Sequence, residues 1–88
     1  MASYSIEFKR SVVKDLRGIP SKDIQRILQR IDSLADDPRP PGCEKLSGVE
    51  RYRLRQGNYR ILYEILDERV LIVVVKIGHR RSVYQTSK

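Results

Sequence analysis

The sequence predicts an α+β domain in which two N-terminal helices pack on one face of a small, mainly antiparallel β-sheet. Three observations lead to this fold class. The chain has 88 residues, which suits a single domain over residues 1–88. Apolar residues recur at helical spacing in the first half, whereas strand-like alternation and a mostly β-branched run dominate the second half. The predicted element order is therefore β-α-α-β-β-β.

The first half of the chain predicts one short strand followed by the two helices. Residues 3–8 alternate polar and apolar side chains, which is typical of a strand. Apolar residues at spacings of four then predict a helix over 9–17, and Gly18 suits its C-terminal end. The second helix begins at Pro20 or Ser21 and closes at 36–38. Its apolar stripe consists of Ile24, Ile27, Leu28, Ile31, Leu34 and Ala35.

The second half predicts three strands after a loop over 38–47 that is rich in proline, glycine and charge. The strands cover roughly 49–56, 58–66 and 69–77. Gly57-Asn58 supplies a tight-turn signal between the first two, which would place Gln56 opposite Tyr59. Residues 70–75 are continuously apolar, so the last strand is expected to be buried on both faces inside the sheet.

Arginines crowd the first two of these strands. Arg51, Arg53 and Arg55 follow the two-residue period of a strand and share one face, and the turn places Arg60 opposite Arg55. Like charges directly across a strand pair are destabilising, so such a cluster indicates an anionic ligand, and phosphate best suits the forked guanidinium. The alternative interpretation is a solvated basic face.

The composition narrows the functional classes. The net charge is +7 and the pI is near 9.9, which favours a polyanionic partner. The apolar run at 70–75 is too short to span a bilayer and the N-terminus lacks a signal peptide, so we expect a cytoplasmic protein without a membrane partner. The sequence contains a single cysteine, Cys43, so an internal disulfide is excluded. The carboxylates of Glu44, Glu50 and Glu64 lack metal-ligand spacing, so no metal or cofactor is expected.

A second basic segment follows the last predicted strand. His79, Arg80 and Arg81 come directly after Gly78, and Tyr84 lies close behind them. The pKa range of an unperturbed histidine suits proton transfer, and a tyrosine beside basic groups can stack on a nucleobase. The alternatives are that His79 is structural or incidental and that Tyr84 fills the core.

Four motifs together resemble the RelE/ParE toxin superfamily of type II toxin–antitoxin modules, in its RelE-like branch. They are KLSG at 45–48, YRLR at 52–55, GNYRILY at 57–63 and IGHRRSVY at 77–84. The resemblance implies a RelE-like fold and an mRNA interferase, an endoribonuclease that cuts messenger RNA in the ribosomal 30S A site and inhibits translation. The 2′-hydroxyl would attack the adjacent phosphate without a metal.

The resemblance also implies roles for single residues. Arg60 and Arg80 match the active-site arginines of the family, and Tyr84 matches the tyrosine that stacks on a base or helps to activate the 2′-hydroxyl. Arginine cannot give up its proton as lysine can, and two arginines of this chain, Arg51 and Arg53, fall where the best-known members carry lysines. His79 is therefore a candidate base. The expected RNA and phosphate contacts are Arg51, Arg53, Arg55, Lys45 and Arg81.

The expected partners are mRNA, the ribosome and an acidic, RelB-like antitoxin that covers the arginines in a toxin–antitoxin hetero-oligomer. Lys22, Arg26 and Arg30 on the second helix are candidates for the ribosome contact, or form a merely solvated face. Two other functions stay open. One is a ParE-like DNA gyrase poison without nuclease activity, and the other is a noncatalytic RNA-binding module.

Overall fold

Two helices and one sheet follow nearly the expected order in the computed structural model, which describes residues 3–46, 48 and 50–79. The chain begins with β1 (Ser5–Phe8), α1 (Arg10–Arg17) and α2 (Ser21–Ser33). It continues with β2 (Glu44–Lys45), β3 (Arg51–Gln56), β4 (Tyr59–Leu66) and β5 (Leu71–His79), with a 3₁₀ turn at Asp67–Arg69 before β5. The predicted α+β class is confirmed.

The strands of the described residues form one five-stranded sheet in the order β1-β5-β4-β3-β2. β1 pairs with β5 in parallel, and the other neighbours are antiparallel, as the mainly antiparallel prediction requires. β5 lies between β1 and β4, so the apolar run is an interior strand. Its Val74 is packed under the helices and its Val75 belongs to a small cluster of its own.

β2 is an element that the sequence patterns do not reveal, because it lies inside the predicted loop over 38–47. Two residues are too few to show a side-chain period. Glu44 pairs with Arg53 and Lys45 pairs with Tyr52, so this short strand covers only the first part of the β3 edge. It also places the Glu44 side chain beside the arginines of β3.

The β3–β4 hairpin has the predicted register. Gln56 lies opposite Tyr59 and Arg55 lies opposite Arg60, so the loop is the two residues Gly57 and Asn58. Gly57 has a φ of 59°, a backbone conformation that glycine adopts without a steric cost. The tight turn therefore fixes which side chains of β3 and β4 face each other.

The main core lies between the helices and one face of the sheet. α1 and α2 place their apolar stripes on this face. Within the described part of the chain, no helix has the length and apolar character needed to span a bilayer. The buried side chains are Val12, Ile27, Ile31, Leu34, Tyr52, Leu54, Ile61, Tyr63, Ile65, Ile72, Val74 and Ile77. On the opposite face, the described residues form a small apolar cluster of Leu62 and Val75 with Leu46 and Val73 packed against them, which leaves room there for charged groups.

Asp15 of α1 fastens the C-terminal end of β5. Its carboxylate accepts a hydrogen bond from the backbone N–H of Ile77 at 3.1 Å and forms an ion pair with Lys76 Nζ, also at 3.1 Å. Because the Asp15 side chain is only 14% exposed, this contact is largely shielded from solvent. It holds the strand end that leads to His79.

Candidate nucleic-acid interface

The hairpin register gathers arginines on the sheet face away from the helices. Arg53 and Arg55 alternate along β3, and Arg60 lies directly across from Arg55 on β4. Leu54, between the two β3 arginines, points into the core instead. The clustering that the sequence predicts for these three arginines is therefore a consequence of strand period and turn length.

These arginines line one groove together with a residue of α2. The groove has a volume of about 240 Å³ and is lined by Arg30, Gly42, Glu44, Arg53, Leu54, Arg55 and Arg60. We call it the arginine groove. Arg60 is only 5% exposed, so packing restrains its guanidinium before any ligand arrives. A preorganised set of forked cations of this kind can bind a phosphate and stabilise charge that develops on it.

Glu44 shows that the arginine groove accepts an anion. The Arg53 Nη2 donates a hydrogen bond to Glu44 Oε2 at 2.7 Å. This hydrogen bond holds the pKa of the Glu44 carboxyl below its ordinary value, and the positive charges of Arg53, Arg55 and Arg60 lower that pKa further. A carboxylate is thus kept ionised within the arginine groove.

Two other expected phosphate contacts are paired elsewhere. The Arg51 Nη2 lies 3.0 Å from Glu64 Oε2, its cross-strand neighbour on β4. The Lys45 Nζ lies 3.1 Å from Glu50 Oε1. Neither Arg51 nor Lys45 is among the residues that line the arginine groove. The two-residue period of β3 places Arg51 on the same sheet face as Arg53 and Arg55, but at the end of the strand away from the hairpin turn.

His79 lies apart from the arginine groove. Its ring contacts the ring of Tyr59 edge-on, with centroids 5.9 Å apart, and the two residues are partners in the β4–β5 register. The Tyr59 hydroxyl donates to Asp23 of α2 at 3.4 Å, which places this contact on the helix side. The β5 residue opposite Arg60 is Gly78. The described residues therefore do not bring His79 next to Arg60, and its catalytic role stays a prediction.

Arg80, Arg81 and Tyr84 lie outside the described residues, so their expected roles also stay predictions. Within the described part of the chain, no group of three or more His, Cys, Asp or Glu side chains could hold a metal ion. The charged side chains that line the arginine groove, among the described residues, are four guanidinium groups and one carboxylate.

Sequence reasoning missed two residues of the arginine groove. The sequence pattern places Arg30 on a ribosome-facing or solvated helix surface, and it shows Glu44 only as one of several scattered carboxylates. Both reach the groove through tertiary packing, Arg30 from α2 and Glu44 from β2. The one available signal was the position of Arg30 directly before the core residue Ile31, which places it at the border of the buried stripe.

Comparison with known proteins fixes the family. The model of the family described as ParE toxin of type II toxin-antitoxin system, parDE, matches residues 6–84. The chain belongs to this toxin family. Among its relatives, the similarity is to RelE-like toxins, as the motifs of the hairpin and the C-terminal segment indicate.

Three relatives illustrate the similarity of this toxin to RelE proteins. The mRNA interferase toxin RelE of Escherichia coli is 26% identical over 81 residues, which cover 89% of this chain and 84% of that protein. Toxin RelE3 of Methanocaldococcus jannaschii is 33% identical, with 88% of this chain and 91% of that protein covered. A chain of the RelE–RelB complex from Pyrococcus horikoshii superposes with a TM-score of 0.80 at 30% identity, covering 89% of this toxin and 96% of that chain.

Proposed function

We propose that this toxin is an mRNA interferase, a cytoplasmic endoribonuclease that cleaves messenger RNA and thereby stops translation. The observation that carries the proposal is the arginine groove, in which Arg30, Arg53, Arg55 and Arg60 converge around the carboxylate of Glu44. The name of the Escherichia coli relative, mRNA interferase toxin, supports the same activity. A groove that already holds one anion suits the phosphodiester of RNA.

The proposed reaction uses the RNA's own nucleophile. The 2′-hydroxyl oxygen forms a bond to the adjacent phosphorus, its proton passes to a base, and the bond from phosphorus to the 5′-oxygen breaks. The leaving oxygen takes up a proton, so the products are a 2′,3′-cyclic phosphate and a 5′-hydroxyl. Negative charge builds up on the nonbridging oxygens in the transition state. Guanidinium groups fixed at that position stabilise the transition state more than the ground state.

The proton transfers are assigned to the C-terminal segment. Tyr84 is the proposed acceptor for the proton of the 2′-hydroxyl, and Arg80 is proposed to stabilise the leaving oxygen. His79, whose ring packs on Tyr59 apart from the arginine groove, is the alternative acceptor. General acid–base catalysis typically contributes about 10²–10⁴-fold, so the arginine groove supplies the other main part of the catalysis. The roles of Arg80 and Tyr84 rest on the family resemblance. His79 stands where the family pattern has a lysine, and it is proposed because histidine commonly serves as a general base.

We also propose an acidic, RelB-like antitoxin and the 30S A site with its mRNA as partners. Several similar structures are RelE–RelB or RelBE complexes, which supports an antitoxin for this toxin. The net charge of +7 suits both an acidic antitoxin segment and ribosomal RNA. The antitoxin is expected to neutralise the toxin by covering the arginine groove.

A second candidate function is DNA gyrase poisoning, because the matching family is named after the ParE toxin. The deciding experiment maps the 5′ ends of cellular mRNA by primer extension after the toxin is induced. We expect sharp stops within codons, 5′-hydroxyl ends and a rapid loss of translation, and we expect the stops to vanish for Arg80→Ala. Intact mRNA together with a DNA-damage response and filamentation would instead indicate the gyrase poison.

Replacing Glu44 with glutamine is expected to strengthen RNA binding about two- to fivefold, the effect of removing one exposed competing charge. The carboxylate occupies the arginine groove and must be displaced by an incoming phosphate. The measurement is fluorescence anisotropy with an RNA oligonucleotide that carries a 2′-deoxy substitution at the cleaved position. Glu50→Gln is the matched control, because Glu50 pairs with Lys45 outside the groove. Weaker or unchanged binding by Glu44→Gln would contradict the assignment of this site.

A further inference from the structure

The arginine groove continues along the sheet edge beyond Arg30. A second concavity of about 320 Å³ is lined by Arg26, Gln29, Arg30, Ser33 and Gln56. A third of about 180 Å³ includes Arg26, Gln56, Asn58, Tyr59 and Asp23 in its lining. The first and second concavities share Arg30, and the second and third share Arg26 and Gln56. We call the second and third concavities together the flank groove.

The fold explains why this groove exists. β2 pairs only with Tyr52 and Arg53, so it does not cover the end of β3 that leads into the turn. α2 lies over this end of the sheet with Ile27 and Ile31 fully buried. Arg26 and Arg30 each precede one of these core residues, so they stand one helical turn apart along the border of the buried stripe. The helix border and the hairpin turn form the two walls.

The charges of the flank groove are available to a ligand. Among the ion pairs between described residues, none involves Arg26 or Arg30, whereas Arg39, Arg51 and Arg53 each pair with a carboxylate. At the far end, the lining includes the carboxylate of Asp23, which accepts a hydrogen bond from the Tyr59 hydroxyl. The positive charge of the groove ends at this acidic residue. The basic part of the groove therefore joins the arginine groove at one end and has a defined limit at the other.

The remaining lining is made of side-chain amides. Gln29, Gln56 and Asn58 each offer both donors and an acceptor, which is what the edges of nucleobases require. A peptide that docked here would need apolar anchor pockets. Ile27 is fully buried in the core, and the rest of the described lining is polar apart from Tyr59 and Gly57. Cations that alternate with amides favour a nucleic-acid strand over an acidic peptide.

We propose that the flank groove binds single-stranded RNA on one side of the cleaved phosphate. Arg30, where the two grooves meet, and Arg26 contact the phosphates next to the one held in the arginine groove, and Gln29 and Gln56 face the bases between them. The inference rests on the proposed function, because it takes the arginine groove as the place of the scissile phosphate. It assigns a binding role to Arg26, Gln29 and Gln56, which do not line the arginine groove.

The experiment compares two RNA oligonucleotides, each with a 2′-deoxy substitution at the cleaved position. The short one fills only the arginine groove, and the long one extends by several nucleotides on both sides. We expect the long RNA to bind the wild-type toxin more tightly. Arg26→Ala should lose roughly three- to tenfold in affinity for the long RNA at low salt, with a salt slope shallower by about 0.7, and should bind the short RNA unchanged.

Lys22→Ala is the matched control, because Lys22 is an exposed cation on the same helix that does not line the groove. Arg26 is exposed, so its truncation removes no buried contact, and a melting curve checks that both variants are folded. Equal losses for the two variants, or equal losses on short and long RNA, would overturn the inference. The inference would also be overturned if Arg26→Ala lost affinity for an acidic antitoxin peptide but bound the long RNA unchanged.

A parallel cleavage assay separates this inference from the proposed function. If the wild-type toxin cleaves mRNA but Arg26→Ala binds long RNA normally, the flank groove is wrong and the nuclease stands. If the length-dependent affinity depends on Arg26 but no cleavage product forms, the groove is right and the nuclease is wrong. The toxin would then be a noncatalytic RNA-binding protein.

Discussion

Arg60→Ala is expected to lower the rate of RNA cleavage by about 10²–10³-fold, the usual cost of removing one preorganised donor from a developing oxyanion. Arg60 is the least exposed arginine of the arginine groove, and it lies opposite Arg55 at the end of the hairpin. Its position is set by packing rather than by the ligand, so its charge needs no reorganisation in the transition state. The measurement is a single-turnover cleavage assay on ribosome-bound mRNA.

Two variants make this prediction specific. Arg60→Lys keeps the charge but loses the fork that binds two phosphate oxygens, so its rate should fall between those of wild type and Arg60→Ala. Arg51→Ala removes an arginine from the same strand face that is paired with Glu64 outside the groove, and it should cleave at nearly the wild-type rate. Binding of the long RNA should weaken much less than cleavage. A wild-type cleavage rate for Arg60→Ala would show that the arginine groove takes no part in the reaction.

The hairpin shows how far local sequence determines the site. A tight-turn signal and the two-residue period together predict that Arg55 lies opposite Arg60, and the register confirms it. All the necessary information lies within ten residues of chain. The same period also places Arg51 on the arginine face, and the same register places Glu64 opposite it; the ion pair between the two side chains is seen only in the structure. Arg51 pairs with Glu64 and does not line the arginine groove, so its phosphate contact stays a prediction.

The rest of the arginine groove could not be predicted, because its parts come from distant elements. Glu44 enters through a two-residue strand, and Arg30 enters because α2 crosses the sheet beside β3. His79 illustrates the same limit. Its partner, Tyr59, follows from a β4–β5 register that shifts at Leu62, and no sequence pattern marks this irregularity. Side chains whose pairing depends on such a register shift need the structure, even where the two strands are consecutive in the chain.

α2 links the stability of the domain to its candidate RNA-binding surface. Ile31 is fully buried in the main core, and its helix also carries Arg26 and Arg30. Ile31→Ala is therefore expected to lower the free energy of unfolding by about 2–5 kcal/mol, the range for truncating a buried isoleucine and leaving a cavity. The measurement is urea denaturation followed by circular dichroism, with the slope of the transition compared between variants.

The loss of free energy of unfolding should depend both on the size of the truncation and on the burial of the side chain. Ile31→Val removes only one methylene, so it should cost about 0.5–1.5 kcal/mol. Val13→Ala truncates a side chain on α1 that is 53% exposed, and it should change the free energy of unfolding by less than about 0.5 kcal/mol. If Ile31→Ala were as stable as Val13→Ala, α2 would not be packed on the sheet as described. Arg30 would then have no fixed place in the arginine groove, and α2 would not form a wall of either proposed RNA-binding groove.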